Sequence, residues 1–280
     1  MLSPEEIRAR AAALPWFHSI DLGHGIVTAG DAEPPVTEFF PEFDGKSVLD
    51  IGAWDGYYSF LAERGGARRV VALDHYVWGV DFEERNAYWN QCFAEGTLPD
   101  QSLDTTKFWR PDLPGRRSFE FAVEALGSRV ESVVADFATT DLDALGQFDV
   151  VLCLGVFYHL KEPFSLLERL RAVTAGVAVI ETEAIHFQHH DDESLLRFHA
   201  GGDLHTDFGN WFVPTIGALH SMCRAAGFAD VRTVIGPPSP APLEPPSLRT
   251  RVGRRLARIE PPRPASTPSM RYRAVVHASV

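Results

Sequence analysis

Three carboxylates stand where apolar runs stop. Asp50 lies near the end of "KSVLDIG" (46–52), Asp74 closes "RVVALD" (69–74), and Asp136 closes "RVESVVAD" (129–136). Between the first two lies "VLDIGAWDGYYSF", which begins like a strand, bends on glycine and continues like a helix. A dinucleotide turn needs G-x-G-x-x-G so that backbone can approach a pyrophosphate at a helix N-terminus. Here Gly52 and Gly56 are present, but Trp54 and Tyr57 occupy positions where that pattern demands glycine. Asp55 would face a pyrophosphate with like charge, and no GK[ST] follows to make a phosphate loop. Carboxylates gathered round one crevice repel phosphate and attract a cation. Asp74, about twenty residues beyond the turn, is spaced to grip ribose hydroxyls.

Strands and helices alternate along the chain, as in an α/β fold. Strands are expected at 46–52, 69–74, 129–136, 148–155, 177–184, 231–236 and 272–279, and helices at 3–14, 56–64, 81–93, 117–126, 163–173 and 215–226. The unbroken apolar stretch Val150–Leu154 reads as a strand buried on both faces. Ser3, Pro4 and Glu6 look like a capping box opening the first helix. Pro163 and Pro214 are expected to start two others, and Gly227 to stop the last. In a doubly wound sheet the strand ends share one edge, and ligands bind there. Two segments break the rhythm, 95–116 and a proline-rich excursion at 236–268. Within the second, Leu248, Val252, Leu256 and Ile259 line one face of an expected helix studded with Arg249, Arg251, Arg254, Arg255 and Arg258.

S-adenosylmethionine suits such a crevice, because it carries a sulfonium, an ammonium, a ribose and an adenine but no phosphate. The segments "VLDIGAWDGYYSF", "VVALDHY", "VVADF" and "FDVVLCLGVFYHL" resemble the successive motifs of class I S-adenosylmethionine-dependent methyltransferases. The resemblance implies a doubly wound, seven-stranded, mostly parallel α/β sheet of Rossmann-like type, with a helical and loop cap on the acceptor side. It implies that the turn Asp50, Gly52, Trp54, Asp55 and Gly56, with Tyr58 just beyond it, holds the methionine part. Asp74 and His75 would meet the ribose, Asp136 and Phe137 the adenine, and Leu154 and Gly155 would floor the methionyl end. A single domain over 1–280 is expected. It comprises a lid arm (1–40), a cofactor core (41–184), cap insertions (76–116 and 185–213), and a C-terminal helix and strands (214–280).

"GVFYHLKEPFSLLERL", "NWFVPTIGALHSMCRAAGF" and "YRAVVHA" are similar to the branch of tRNA wobble-uridine carboxymethyltransferases. That similarity implies that Tyr158 and Arg273 would meet the extra carboxylate of a carboxylated donor. The acidic balance and the Trp54 turn depart from that branch. A small-molecule acceptor methylated at oxygen is therefore expected, with tRNA as the alternative, and a non-catalytic S-adenosylmethionine-binding protein as a third reading. A hydroxyl acceptor needs a base near neutral pKa, which points to histidine. His159, after the fourth strand, is the first candidate, with Tyr158 beside it. His18, on an N-terminal segment able to fold over the pocket, is the second. Asn210 and Trp211 are expected just before a helix, in the acceptor cap. His186, His189, His190, Asp191 and Asp192 cluster in sequence, but their spacing fits no strong zinc pattern, and no metal is expected.

Composition sets the partners. A net charge of −12 argues against wholesale nucleic-acid binding, which needs a basic face. Three scattered cysteines, Cys92, Cys153 and Cys223, suggest a reducing, cytoplasmic setting. The first residues lack the layout of a secretory signal, and no apolar run is long enough to span a membrane. A homodimer is left open.

Overall fold

The computed structural model describes residues 2–30, 32, 37–110, 114–187, 190, 193–199, 202–205, 209–238 and 269–280. Its strands are β1 (Ser47–Ile51), β2 (Arg69–Asp74), β3 (Glu131–Val134), β4 (Phe148–Leu154), β5 (Thr174–Phe187), β6 (Leu196–Phe198), β7 (Phe212–Pro214), β8 (Asp230–Ile235) and β9 (Ser269–Ser279). The α-helices are α1 (Pro4–Ala12), α2 (Tyr57–Arg64), α3 (Tyr76–Gly79), α4 (Phe82–Ala94), α5 (Pro114–Leu126), α6 (Leu142–Leu145), α7 (Pro163–Val173) and α8 (Ile216–Ala225). Seven strands form one sheet in the order β3-β2-β1-β4-β5-β9-β8. The pairs from β3 to β5 are parallel, and β9 runs antiparallel to both β5 and β8. The order reverses between β1 and β4, where such sheets open a crevice for ligands.

Every residue of β1 is buried, as expected of a strand covered on both faces, and its two polar members are Ser47 and Asp50. Alternate side chains feed two cores. Val48, Val70 and Val150 face the side covered by α1, α2 and α5, whereas Leu49, Val71 and Val151 face the side covered by α7 and α8. The N-terminal segment enters the first core itself: Ile20 and Leu22 are each 2% exposed. This arm is therefore a packed part of the fold and not only a flap laid over it.

The capping box of α1 is present in full, and Pro163 opens α7. Pro214 does not open α8. It ends β7, and Thr215 caps the helix by accepting from the Ala218 N–H. A hydroxyl cap satisfies an orphan helical donor, which proline cannot do. The small β6–β7 sheet also separates Asn210 and Trp211 from that helix. The arginine-rich segment 249–258 lies outside the described residues.

Candidate functional site

A cavity of about 790 Å³ opens at the carboxyl ends of β1, β2 and β4, where its wall includes Gly52, Asp74, Leu154 and Gly155. His18, Trp54, Tyr58, His75, Asp136, Phe137, Tyr158, His159, Trp211 and Arg273 also line it. The strand-end rule therefore brings residues from the whole length of the chain to one place.

Asp74 sits at the end of β2, only 4% exposed. Its Oδ2 accepts from the Trp54 N–H (2.9 Å) and its Oδ1 from the Val77 N–H (3.0 Å). A carboxylate has further lone pairs for a ligand hydroxyl. Burial pushes its pKa up to about 6, despite the backbone donors that pull it down. His75 is packed beside the rings of Tyr76 (5.0 Å) and Trp109 (5.1 Å), and burial lowers its pKa. Asp136 accepts from the Ala138 N–H at 2.8 Å. Phe137 lines the wall, and the Arg169 guanidinium lies 5.5 Å from its ring.

Four residues expected at the site are not in the wall. Asp50 lies behind it, 1% exposed, where it accepts from Ser59 Oγ at 2.6 Å, and burial raises its pKa to about 6. Gly56 sits under α2 with φ of +86°, and a Cβ there would come within 2.7 Å of the Phe119 ring. Its role is to let that ring in. Asn210 is 4% exposed and donates to the Leu204 carbonyl at 2.9 Å, bracing the segment before β7 from inside. Asp55 is fully buried and turns toward the arm. Its Oδ2 accepts from the backbone N–H groups of Phe17 (3.0 Å) and His18 (2.7 Å), while Oδ1 lies 2.7 Å from His18 Nδ1. One short side chain thus fixes the arm at the rim of the cavity.

Trp54 takes a left-handed backbone, with φ of +51°. Its carbonyl accepts from Trp78 Nε1 at 2.6 Å, and its ring stacks on Phe17 at 4.0 Å and 16°. The ring walls the cavity. His159 places Nδ1 3.3 Å from the Gly209 carbonyl. Trp211 donates its backbone N–H to the Tyr158 carbonyl at 2.8 Å, which ties the segment before β7 to the segment after β4.

Arg273 reaches the cavity from β9. Both its Nε and Nη2 bond the carboxylate of Glu181, and its Nη1 donates to the Tyr158 hydroxyl at 3.2 Å. Sequence reasoning missed Glu181, although its signal is visible: an acid inside the apolar run of β5, where a buried charge must have a partner. It also missed Phe17, Arg85 and Asn86, which line the wall. Arg85 is held by Asp104, at 2.9 and 3.0 Å from Nε, with its guanidinium 4.0 Å from the Trp89 ring. Asn86 Oδ1 is buried without a partner among the described residues. His189, Asp191 and Asp192 lie outside the described residues. His190 pairs with Glu193 at 2.7 Å.

This donor set fits a cationic amino-acid nucleoside. Asp50 and Asp74 are buried acids whose raised pKa marks charge short of compensation, and Asp136 and Glu181 add carboxylates to the cavity wall. Gly52, with φ of +75°, lets backbone approach closely at the turn. The volume falls in the range of small-molecule and cofactor sites.

A methyltransferase-domain family profile matches residues 29–233. The chain is 28% identical over 197 residues to the tRNA U34 carboxymethyltransferase of Pseudomonas putida (strain W619), covering 69% of this chain and 48% of that one. It is 29% identical over 197 residues to the enzyme of the same name from Pseudomonas syringae pv. tomato (strain ATCC BAA-871 / DC3000), with the same coverage. The chain thus spans about half the length of the curated relatives it matches. The N-terminal domain of EvdMO1 with S-adenosylhomocysteine bound superposes with a TM-score of 0.60 at 19% identity, covering 100% of this chain and 98% of that one. The same domain crystallised with S-adenosylhomocysteine and D-fucose gives 0.58 at 20% identity, covering 100% and 97%. This likeness establishes the fold, and among the described residues no helix is long and apolar enough to cross a membrane. The chain belongs to the methyltransferase-domain family, the class I S-adenosylmethionine-dependent methyltransferases, and within it is similar to the tRNA U34 carboxymethyltransferases.

Proposed function

We propose that the protein methylates a hydroxyl of a small-molecule acceptor, with S-adenosylmethionine as donor. S-adenosylmethionine, when bound, supplies an electrophilic methyl group on a sulfonium. Asp74 would hold the ribose hydroxyls with His75 beside it. Asp136 would accept from the adenine amino group with Phe137 against the ring, and Gly52, Leu154 and Gly155 would admit the methionyl end. Positioning of the acceptor oxygen against the methyl supplies much of the rate in such a displacement. The arm over 1–40 and the segments 76–116 and 185–213 would form the acceptor cap of a single domain.

The observation that carries this reading is the pairing of imidazoles with aromatic walls. His18 and His159 share a cavity lined by Phe17, Trp54, Tyr158 and Trp211, so a proton acceptor stands where a planar or sugar-like alcohol could dock. The D-fucose crystallised with the similarly folded EvdMO1 domain has hydroxyls of the kind required.

The alternative, a tRNA methyl- or carboxymethyltransferase, draws on the similarity to the Pseudomonas enzymes. The Glu181–Arg273 pair speaks against the carboxylated donor. Arg273 already gives its Nε and Nη2 to one carboxylate and its Nη1 to Tyr158, so Glu181 compensates much of the charge a second carboxylate would need. Incubation of the enzyme, labelled S-adenosylmethionine and a metabolite extract should give a labelled small molecule by mass spectrometry. Label appearing in tRNA instead, or in nothing, would contradict the proposal.

A further inference from the structure

We infer that His18, oriented by Asp55, is the proton acceptor of the reaction, and that the arm exists in part to deliver it. The inference rests on the hydroxyl-methylation reading and names the residue that reading leaves open. His18 is 7% exposed, lines the cavity, and has its Nδ1 at 2.7 Å from Asp55 Oδ1. The other oxygen of Asp55 takes the backbone N–H groups of Phe17 and His18, which fixes the carboxylate itself. A carboxylate facing Nδ1 favours the tautomer with its proton there, leaving Nε2 as the ring nitrogen with a lone pair. Nε2 has no partner among the described residues. His159, the other imidazole in the wall, places its Nδ1 3.3 Å from the Gly209 carbonyl.

The surroundings suit the task. The Tyr57 ring stacks on His18 at 5.0 Å and the Tyr58 ring meets it edge-on at 5.3 Å, which fixes the plane of the imidazole. Asp50, near the end of β1, interacts with His18 through charge, and Asp55 contacts it directly at 2.7 Å. Gly30 crosses behind His18 so closely that a Cβ would lie 2.1 Å from the His18 carbonyl carbon. As the acceptor oxygen bonds the methyl carbon, its proton passes to Nε2, and the carbon–sulfur bond breaks with its electron pair on sulfur. A methyl ether and S-adenosylhomocysteine result, and the imidazolium returns its proton to solvent.

The test compares wild type, Asp55→Asn, Asp55→Glu, His18→Gln and the double variant His18→Gln/Asp55→Asn on the labelled product obtained from the extract. Asp55→Asn and His18→Gln should each lower kcat by about 100-fold or more, with KM and S-adenosylhomocysteine affinity changed by less than about threefold. Asp55→Glu should recover part of the rate. The double variant should be no slower than His18→Gln, because the two residues act as one unit. In ¹⁵N-histidine NMR of the S-adenosylhomocysteine complex, His18 should hold its proton on Nδ1 in wild type and lose that preference in Asp55→Asn. Wild-type product with kcat undiminished in Asp55→Asn, or a loss confined to KM or binding, would overturn the assignment. Absence of wild-type product despite S-adenosylhomocysteine binding would instead overturn the reading beneath it.

Discussion

Trp54 holds a backbone conformation that side chains avoid, and three contacts keep it there. Asp74 takes its N–H, Trp78 donates to its carbonyl, and Phe17 stacks on its ring. A left-handed non-glycine residue costs about 1–3 kcal/mol and persists only where its surroundings impose it. Trp54→Gly relieves that strain but removes the wall and the stack. The thermal midpoint should therefore hold or rise, while S-adenosylhomocysteine affinity falls by about 2–10-fold, as measured by melting and calorimetry. The sequence makes Trp54 and Asp55 conspicuous in a glycine turn, yet their partners lie far off in the chain. Asp55 meets His18 across 37 positions, so no local pattern could show that it serves the arm. Asp74 and Asp136 were legible because strand ends share an edge whatever the loops do. Glu181 carried a signal in the apolar run of β5 but was missed, and its pairing with Arg273, 92 positions away, left no local trace.

At the scale of elements, the arm brings Phe17 and His18 to the cavity wall. It is pinned by Asp55, by Ser118 Oγ to the Pro15 carbonyl (2.5 Å), and by Thr28, whose hydroxyl donates to the His18 carbonyl at 2.8 Å. Gly30 passes against that same backbone. Gly30→Ala would push residues 18 and 19 away, so the melting temperature should drop by about 3–8 °C. Product formation should fall further than stability alone explains, since His18 moves with the arm. A variant indistinguishable from wild type would mean that the crossing is loose. The central strands β1, β2, β4 and β5 were readable because buried parallel strands need largely apolar runs, while β3, β8 and β9 stood out as β-branched runs bounded by turn residues. The β6–β7 pair was not readable. Each strand is three residues long, β6 is exposed throughout, and neither leaves a periodic signal. Pro214 misled for a related reason, because a proline before a helix also suits the end of an edge strand.

For the molecule as a whole, the charge balance and the buried acids tell one story. Asp50 and Asp74 both have pKa values of about 6, raised by burial above the ordinary 3.8. Their contribution to the stability of the ligand-free fold is therefore fully present below pH 3.8 and is lost as pH rises through about 6. A ligand that hydrogen-bonds or pairs with the charged carboxylates reverses that preference, so binding should weaken as pH falls below about 6. The measurement that bears most directly on the cofactor site is calorimetric titration with S-adenosylhomocysteine, on wild type and Asp74→Asn, at pH 7.5 and pH 5.0. Wild type should bind at pH 7.5 and lose about tenfold in affinity at pH 5.0. Asp74→Asn should bind at least about tenfold more weakly at pH 7.5, with a smaller response to pH and an intact melting transition. No binding by wild type, or equal affinity in the folded variant, would contradict the account.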